Sequence, residues 1–227
     1  MIGFDAIIFD FDGVLIESEF EASRELAQLL TELGHVHSTD ETLRHYVGLA
    51  GKDFIAAIEA RIGTELPPEF HERMRASHVQ ALRDGIAAVA GAVDFVRSLP
   101  HGLAKAVASS SPTWWIRGHL ERLGLREAFG DHTYSGREHV ERGKPAPDLY
   151  IYAAAQIGVP IERTVIVEDS KVGTTGALAS GATVIGLGAG RHCFDGHADM
   201  LRALGVEHVA HSFDEVERLL GLDQASR

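Results

Sequence analysis

Residues 4–13 read FDAIIFDFDG, an apolar run that ends in two aspartates separated by one residue. The run lacks the alternation of apolar and polar residues that a half-exposed strand shows, so we predict a parallel strand covered on both faces. Asp10 and Asp12 then lie at its carboxyl end. Because ligands bind outside the carboxyl ends of parallel strands, this stretch predicts both a fold class and the position of a site.

Similar apolar runs recur along the chain. Further strands are predicted at residues 103–109, 163–169 and 182–187, with weaker candidates at 132–135 and 208–211. Segments with helical spacing, such as 112–124 and 145–158, lie between them, each opening near a proline and closing at a glycine. The alternation of strands and helices predicts an α/β fold with a doubly wound parallel, Rossmann-like sheet.

The stretch from residue 17 to residue 88 breaks this alternation. It shows only helical patterns, which cover residues 19–33, 53–62 and 68–83. We therefore predict an α/β core formed by residues 1–16 and 89–227, and an inserted all-helical domain formed by residues 17–88.

The composition excludes several classes of protein. Of 227 residues, 45% are hydrophobic and 24% are charged, which is typical of a globular chain. Asp and Glu outnumber Lys and Arg by 33 to 21, so nucleic acid and anionic membranes are not expected partners. The single cysteine, the absence of a long apolar run and an acidic rather than basic start predict a cytoplasmic protein without a signal peptide.

Four acidic side chains are expected to converge at one edge of the sheet, namely Asp10, Asp12, Glu168 and Asp169. At a separation of ~4 Å and an effective dielectric constant of about 20, each pair of like charges costs on the order of 4 kcal/mol. A hard cation removes this conflict, and two or three carboxylates with room for water are typical of Mg²⁺. We predict a Mg²⁺ site made by these four residues, with Glu168 either a direct ligand or a residue behind the ligands.

Donors for a phosphate group are expected at the same edge. Ser109 and Ser110 follow the second strand, and Lys144 precedes a predicted helix. A carboxylate beside a metal and a phosphate can attack phosphorus in line, which makes Asp10 the candidate nucleophile. Asp12, two residues on, is the candidate general acid for the leaving oxygen and then the general base for water.

The order of these elements resembles the haloacid dehalogenase superfamily. The resemblance rests on DFDGV at 10–14, a serine after the second strand, GKPAPD at 143–148 and VEDS at 167–170. It is strongest to the branch that contains β-phosphoglucomutase and small sugar-phosphate phosphatases, whose members carry a helical cap just after the first strand. It implies that residues 17–88 are that cap. The true dehalogenases lack the second aspartate of the first motif, so Asp12 argues against carbon–halogen cleavage.

The resemblance also implies a role for each site residue. Asp10 is the phosphorylated nucleophile, and Asp12 is the acid and base, with its backbone carbonyl on the metal. The phosphate is bound by Ser109 and Lys144. Mg²⁺ is bound by Asp169, with Glu168 beside it.

Three functions follow from this chemistry. The first is a phosphatase that hydrolyses a small phosphorylated metabolite through an aspartyl-phosphate. The second is a phosphomutase. β-Phosphoglucomutases carry a histidine and an arginine in the cap, however, and the aligned positions here are Ala22 and a position near Gly51, so both features are missing. The third is a phospho-accepting signalling domain, although signalling receivers are about half this length and lack an inserted cap. We expect the phosphatase, as a monomer or weak homodimer.

Other residues have weaker predicted roles. The loop at 47–52 resembles the substrate-reading loop of the family, so Lys52 is a candidate contact for a second anionic group of the substrate. Trp114 and Trp115 are predicted to pack rather than to stack on a sugar. The loop that contains His192 and His197 lacks the ligand spacing of a zinc site and is predicted to be a turn.

Overall fold

The computed structural model describes residues 2–47, 49 and 51–222, so Met1, residues 223–227 and the predicted loop residues Gly48 and Ala50 lie outside the described part. The chain divides into two units. One is formed by Met1–Glu17 with Ala87–Arg227, and the other, the inserted unit, by Ser18–Ile86. The sequence placed the corresponding boundaries at residues 17 and 88.

The first unit is built on a parallel sheet of six strands in the order β3-β2-β1-β4-β5-β6. The strands are β1 Ala6–Phe9, β2 Ala104–Ser109, β3 Thr133–Ser135, β4 Thr164–Glu168, β5 Thr183–Leu187 and β6 His208–Ala210. Every strand lies within a run predicted from the sequence. The predicted α/β class with a doubly wound sheet is confirmed.

The central strand β1 is buried along its whole length, as its unbroken apolar run predicts. Its register pairs Phe9 with Val107 of β2 on one side and with Val167 of β4 on the other. The next residue, Asp10, donates its backbone N–H to the carbonyl of Val167 over 2.9 Å. The carboxyl ends of β1, β2 and β4 therefore meet at one edge of the sheet, where the polar residues begin.

The inserted unit is all-helical and has a core of its own, which includes Leu30, Ile58 and Phe70. Its helices are α1 Ser18–Glu32, α2 Thr39–Tyr46, α3 Gly51–Ile62 and α4 Pro68–Asp84. The sequence patterns singled out three of them and missed α2. A capping box marks its start, because Ser38 Oγ accepts from the Glu41 N–H while the Glu41 carboxylate accepts from the Ser38 N–H.

The remaining helices cover both faces of the sheet. They are α5 Ala92–Ser98, α6 Thr113–Arg122, α7 Arg126–Phe129, α8 Asp148–Gln156, α9 Lys171–Ser180, α10 His197–Ala203 and α11 Phe213–Leu220, with a 3₁₀ turn at Ile161–Arg163. The sequence placed the start of α8 three residues too early, at Pro145. Among the described residues, no helix combines the length and hydropathy that crossing a bilayer requires.

Candidate active site

A buried ammonium group lies between two carboxylates at the carboxyl edge of the sheet. Lys144 Nζ contacts Asp10 Oδ1 and donates to Glu168 Oε1 over 2.8 Å. The Lys144 side chain is only 4% exposed, so these charges are hardly screened by water. The structure thus brings together a candidate nucleophile, a candidate phosphate-binding cation and a candidate metal-site residue, as the sequence predicts.

The Glu168 carboxylate is surrounded by donors from the protein. Besides Lys144, Tyr150 donates its hydroxyl to Oε1 over 3.0 Å, and Ser170 donates both its N–H and its Oγ–H to Oε2 over 2.8 and 3.1 Å. The sequence left open whether Glu168 binds the metal directly or lies behind the ligands. This arrangement favours the second role, in which Glu168 holds Lys144 in place. Tyr150 was missed, because an aromatic residue in an apolar helix gives no local sign of such a contact.

The crowding of charges changes the protonation of these groups. Burial raises the pKa of Asp10 well above its ordinary value, the charge of Lys144 opposes this, and the neighbouring carboxylates reinforce it. Burial alone would lower the pKa of Lys144, but Asp10 and Glu168 raise it well above its ordinary value. Lys144 is therefore a fixed positive charge at neutral pH.

The donor set at this edge fits a hard divalent cation. Asp10, Glu168 and Asp169 each offer a carboxylate oxygen, and these oxygens lie within 4.8 Å of one another. Asp169 Oδ1 is buried and has no hydrogen-bond partner within the described part of the chain. An unpaired buried carboxylate oxygen is unfavourable unless a cation or a donor reaches it. The predicted Mg²⁺ therefore suits the residues present.

Asp12 is held by three donors. Its Oδ2 accepts from Ser109 Oγ over 3.1 Å and from Ser111 Oγ over 2.6 Å, and its Oδ1 accepts from Trp115 Nε1 over 3.1 Å. Ser109 is buried at the end of β2 and Ser110 is exposed, and the phosphate contacts predicted for these two serines stay predictions. The carboxylate of the candidate acid and base is therefore fixed from two sides.

The two tryptophans at the start of α6 lie in different environments. Trp115 is buried but also donates to Asp12, a contact that the sequence does not reveal. Trp114 is 53% exposed, and its ring packs edge-on against that of Trp115, with the ring centroids 5.9 Å apart. Adjacent helical residues point about 100° apart, which turns one ring towards the site and leaves the other at the surface.

Two histidines reach the site after β5, namely His192 in the loop between β5 and α10 and His197, the first residue of α10. His192 Nε2 lies 2.7 Å from Asp169 Oδ2, and His197 Nε2 lies 2.9 Å from the Asp169 carbonyl oxygen. Both side chains are buried, so the prediction of a simple turn is incomplete. Burial opposes protonation of His192, but the Asp169 carboxylate raises the pKa of His192 to about 11. Burial and the His192 charge lower the pKa of His197, which is therefore neutral at pH 7.

Lys52 belongs to the inserted unit. It is the second residue of α3 and is exposed. Its neighbours Gly48 and Ala50 in the predicted substrate-reading loop lie outside the described residues. The role of Lys52 stays a prediction.

Comparison with known proteins gives a consistent result. Residues 7–187 match the family model described as haloacid dehalogenase-like hydrolase. The chain is 28% identical to hexitol phosphatase A of Escherichia coli (strain K12) over 221 residues, which cover 92% of this chain and 91% of the relative. It is 26% identical to 6-phosphogluconate phosphatase of the same strain over 181 residues, covering 79% of this chain and 80% of the relative.

A solved structure is similar over almost the whole chain. A HAD family hydrolase from Deinococcus radiodurans R1, solved with bound phosphate and sodium, is 33% identical with a TM-score of 0.85. The match covers 99% of this chain and 98% of that chain. The similarity therefore includes the sheet, its carboxyl edge and the inserted helices.

Proposed function

Because this chain belongs to the haloacid dehalogenase-like hydrolase family, we propose that it is a Mg²⁺-dependent phosphatase acting on a small phosphomonoester. It is a phosphoric monoester hydrolase, and the proposed intermediate is an aspartyl-phosphate on Asp10. The observation that carries the proposal is the buried Asp10 carboxylate, held against Lys144 at the carboxyl edge of the sheet beside Asp169.

In the proposed first step, the fixed positive charge of Lys144 attracts the phosphate dianion. An oxygen of Asp10 attacks phosphorus in line, so that a new oxygen–phosphorus bond forms as the bond from phosphorus to the ester oxygen breaks. Asp12 donates a proton to the departing oxygen, so that the dephosphorylated product leaves with a hydroxyl group at that position. Ser109, Ser111 and Trp115 keep Asp12 oriented for this transfer.

In the proposed second step, the Asp12 carboxylate removes a proton from a water molecule that attacks the aspartyl-phosphate. The bond between Asp10 and phosphorus breaks, inorganic phosphate leaves, and Asp12 regains the proton that it gave up. Both aspartates return to their starting states. The same residue thus acts as acid and then as base.

We propose that Asp10, Asp169 and the backbone carbonyl of Asp12 hold the Mg²⁺, with Glu168 behind them. When bound, Mg²⁺ neutralises the negative charge of the transferring phosphoryl oxygens. The unpaired Asp169 Oδ1 supports this assignment. The hydrogen bonds from Tyr150 and Ser170 to Glu168 support its place behind the ligands.

For the substrate, we propose the phosphate ester of a sugar, a sugar acid or a polyol. The names of the two relatives, a 6-phosphogluconate phosphatase and a hexitol phosphatase, support this class. We propose the inserted unit as the cap that selects the substrate, with Lys52 as a contact for a second anionic group. The acidic balance of 33 to 21 supports the absence of nucleic-acid and membrane partners. Cytoplasmic location and a monomer or weak homodimer stay predictions from the sequence.

Removal of divalent cations tests the metal. We expect EDTA to reduce phosphate release at least about 100-fold, because the carboxylates then repel the incoming dianion, and we expect Mg²⁺ to restore it. Phosphate release from a panel of sugar, sugar-acid and polyol phosphates is the measurement. EDTA loaded beforehand with Mg²⁺ is the control and should have no effect. Restoration by Zn²⁺ but not by Mg²⁺ would contradict the ligand assignment.

The same panel separates the three functions. Free phosphate from β-glucose 1-phosphate supports a phosphatase, whereas its conversion to glucose 6-phosphate would support a phosphomutase. A stable phosphorylated Asp10, found by mass spectrometry without turnover of any ester, would support a signalling domain.

Replacement of Trp115 by phenylalanine tests how Asp12 is positioned. The phenyl ring keeps part of the apolar packing, but the N–H donor to Asp12 is lost, so we expect kcat for alkyl phosphates to fall about tenfold. The fall should be smaller for 4-nitrophenyl phosphate, because its leaving group needs little protonation. Trp114→Phe is the matched control, since Trp114 is exposed. Equal losses in both variants, or the same loss for both substrates, would argue against this role.

A further inference from the structure

The loop that follows β5 forms one wall of the metal site, although no motif of the nucleophile, phosphate or metal residues includes it. His192 in this loop contacts the carboxylate of Asp169, and His197, the first residue of α10, contacts its backbone carbonyl. The two histidines are 5% and 6% exposed. Polar side chains buried to this extent need a reason, and their shared partner is a candidate metal ligand.

From this arrangement we infer that His192 is a positioning residue that presents Asp169 to the metal through a single oxygen. His192 Nε2 lies 2.7 Å from Asp169 Oδ2, whereas Asp169 Oδ1 is buried and has no partner among the described residues. The inference rests on the proposed Mg²⁺ site. In this arrangement the Asp169 carboxylate has one fixed orientation and presents Oδ1 to the ion.

His197 fixes the other end of Asp169. A carbonyl oxygen can only accept, so the His197 Nε2 that lies 2.9 Å from it carries the proton. The loop is held further because the Arg191 N–H donates to the buried Glu17 carboxylate over 2.9 Å. The backbone and the side chain of Asp169 are thus both restrained before any ion arrives.

Two glycines make room for the His192 ring. A methyl group on Gly13 would lie 2.9 Å from His192 Cε1 and would overlap Asp169 Oδ2, and Gly13 also has a φ of +84°. A methyl group on Gly190 would lie 2.6 Å from His192 Nδ1. The ring therefore occupies a slot between these two backbones. The glycine after the two aspartates of the first motif is required for this contact as well as for its turn.

The restraint matters because Mg²⁺ tolerates little departure from octahedral geometry at short distances. A carboxylate that is already oriented loses less conformational freedom when the ion binds. Residues that hydrogen-bond to a metal ligand typically change metal affinity 10- to 100-fold when they are replaced. We expect an effect of this size at His192.

A metal ion on the loop itself is the competing interpretation. His192, Cys193 and His197 each offer a ligand atom, and these atoms lie within 4.8 Å of one another. The His192 nitrogen near the sulfur, Nε2 at 3.6 Å from Cys193 Sγ, is however the one already paired with Asp169 at 2.7 Å. The geometry therefore favours a role for His192 in holding Asp169.

The test is Mg²⁺ binding to the full chain without substrate, measured by titration calorimetry. We expect His192→Phe, which keeps a ring in the slot but removes the donor, to weaken Mg²⁺ binding 10- to 100-fold. Gly190→Ala keeps the histidine and displaces its ring, so it should weaken binding about tenfold even if His192→Phe fails to fold. At saturating Mg²⁺, kcat of either variant should return to within about threefold of wild type. Cys193→Ser is the matched control and should bind Mg²⁺ as wild type does.

The outcomes distinguish the proposed function from the role of His192. Wild-type protein that binds no Mg²⁺, or that hydrolyses no ester with it, would overturn the proposed function. Mg²⁺-dependent wild type together with unchanged Mg²⁺ affinity in a folded His192→Phe or Gly190→Ala variant would overturn only the role of His192. Tight Zn²⁺ binding that is lost in both His192→Phe and Cys193→Ser would overturn it too, in favour of a metal on the loop.

Discussion

Replacing Asp10 by asparagine should reduce kcat at least about 10⁴-fold while the fold is retained. The amide has nearly the same shape as the carboxylate but is a far weaker nucleophile, so no aspartyl-phosphate forms. The variant leaves Lys144 paired with Glu168 and removes one negative charge from a site where burial and neighbouring carboxylates raise the pKa of Asp10. We therefore expect its melting temperature to be unchanged or higher.

Steady-state phosphate release and thermal denaturation measure both effects. Mass spectrometry of protein quenched during turnover should find a phosphorylated peptide in wild type and none in Asp10→Asn. The matched control is Asp131→Asn, because the Asp131 side chain is 95% exposed. Activity of Asp10→Asn within about tenfold of wild type would place the nucleophile elsewhere.

Replacing Lys144 by methionine should affect activity and stability together. The ammonium contacts Asp10 and Glu168, and removal of one partner from a buried ion pair typically costs about 3–5 kcal/mol in the free energy of unfolding. The variant also lacks the fixed positive charge that the phosphate needs. We expect kcat/KM to fall about 10³-fold.

A double variant separates the two effects. In Lys144→Met with Glu168→Gln, one of the uncompensated carboxylates is gone, so part of the unfolding free energy should return while kcat/KM stays low. Urea denaturation and phosphate release are the measurements. Lys105→Met is the control, because Lys105 Nζ donates only to the carbonyl of Leu103 at the amino end of β2 among the described contacts. A stable and active Lys144→Met variant would contradict two statements, that the ion pairs of Lys144 stabilise the fold and that Lys144 binds the phosphate.

The strands and the edge that carries the site were predictable from the sequence. Each strand is an apolar run with a polar end. In a parallel sheet these ends meet at one edge, and this does not depend on the conformation of the loops between the strands. Asp10, Glu168 and Asp169 converge for this reason. The inserted helices were visible as an interruption of the strand–helix alternation.

The helix boundaries show what a local pattern can and cannot supply. The start of α2 could have been found from the Ser38-x-x-Glu41 capping box, which is a local signal. The start of α8 was placed too early, at Pro145, because a proline is common in the first turn of a helix but is also common in the turn that precedes one. In the structure residues 144–147 form turns, and the helix begins after them, at Asp148.

Some partners of the acidic side chains were decided only by the tertiary structure. Trp115 reaches Asp12 across 103 positions of sequence, and His192 reaches Asp169 from a loop that reads locally as a turn. Local periodicity determines which face of an element is buried, and strand ends determine where polar groups gather, so the sequence determined the fold class and the candidate nucleophile, cation and metal ligands. Which donors orient those groups depends on how distant helices and loops pack over the sheet, and no local pattern encodes that packing.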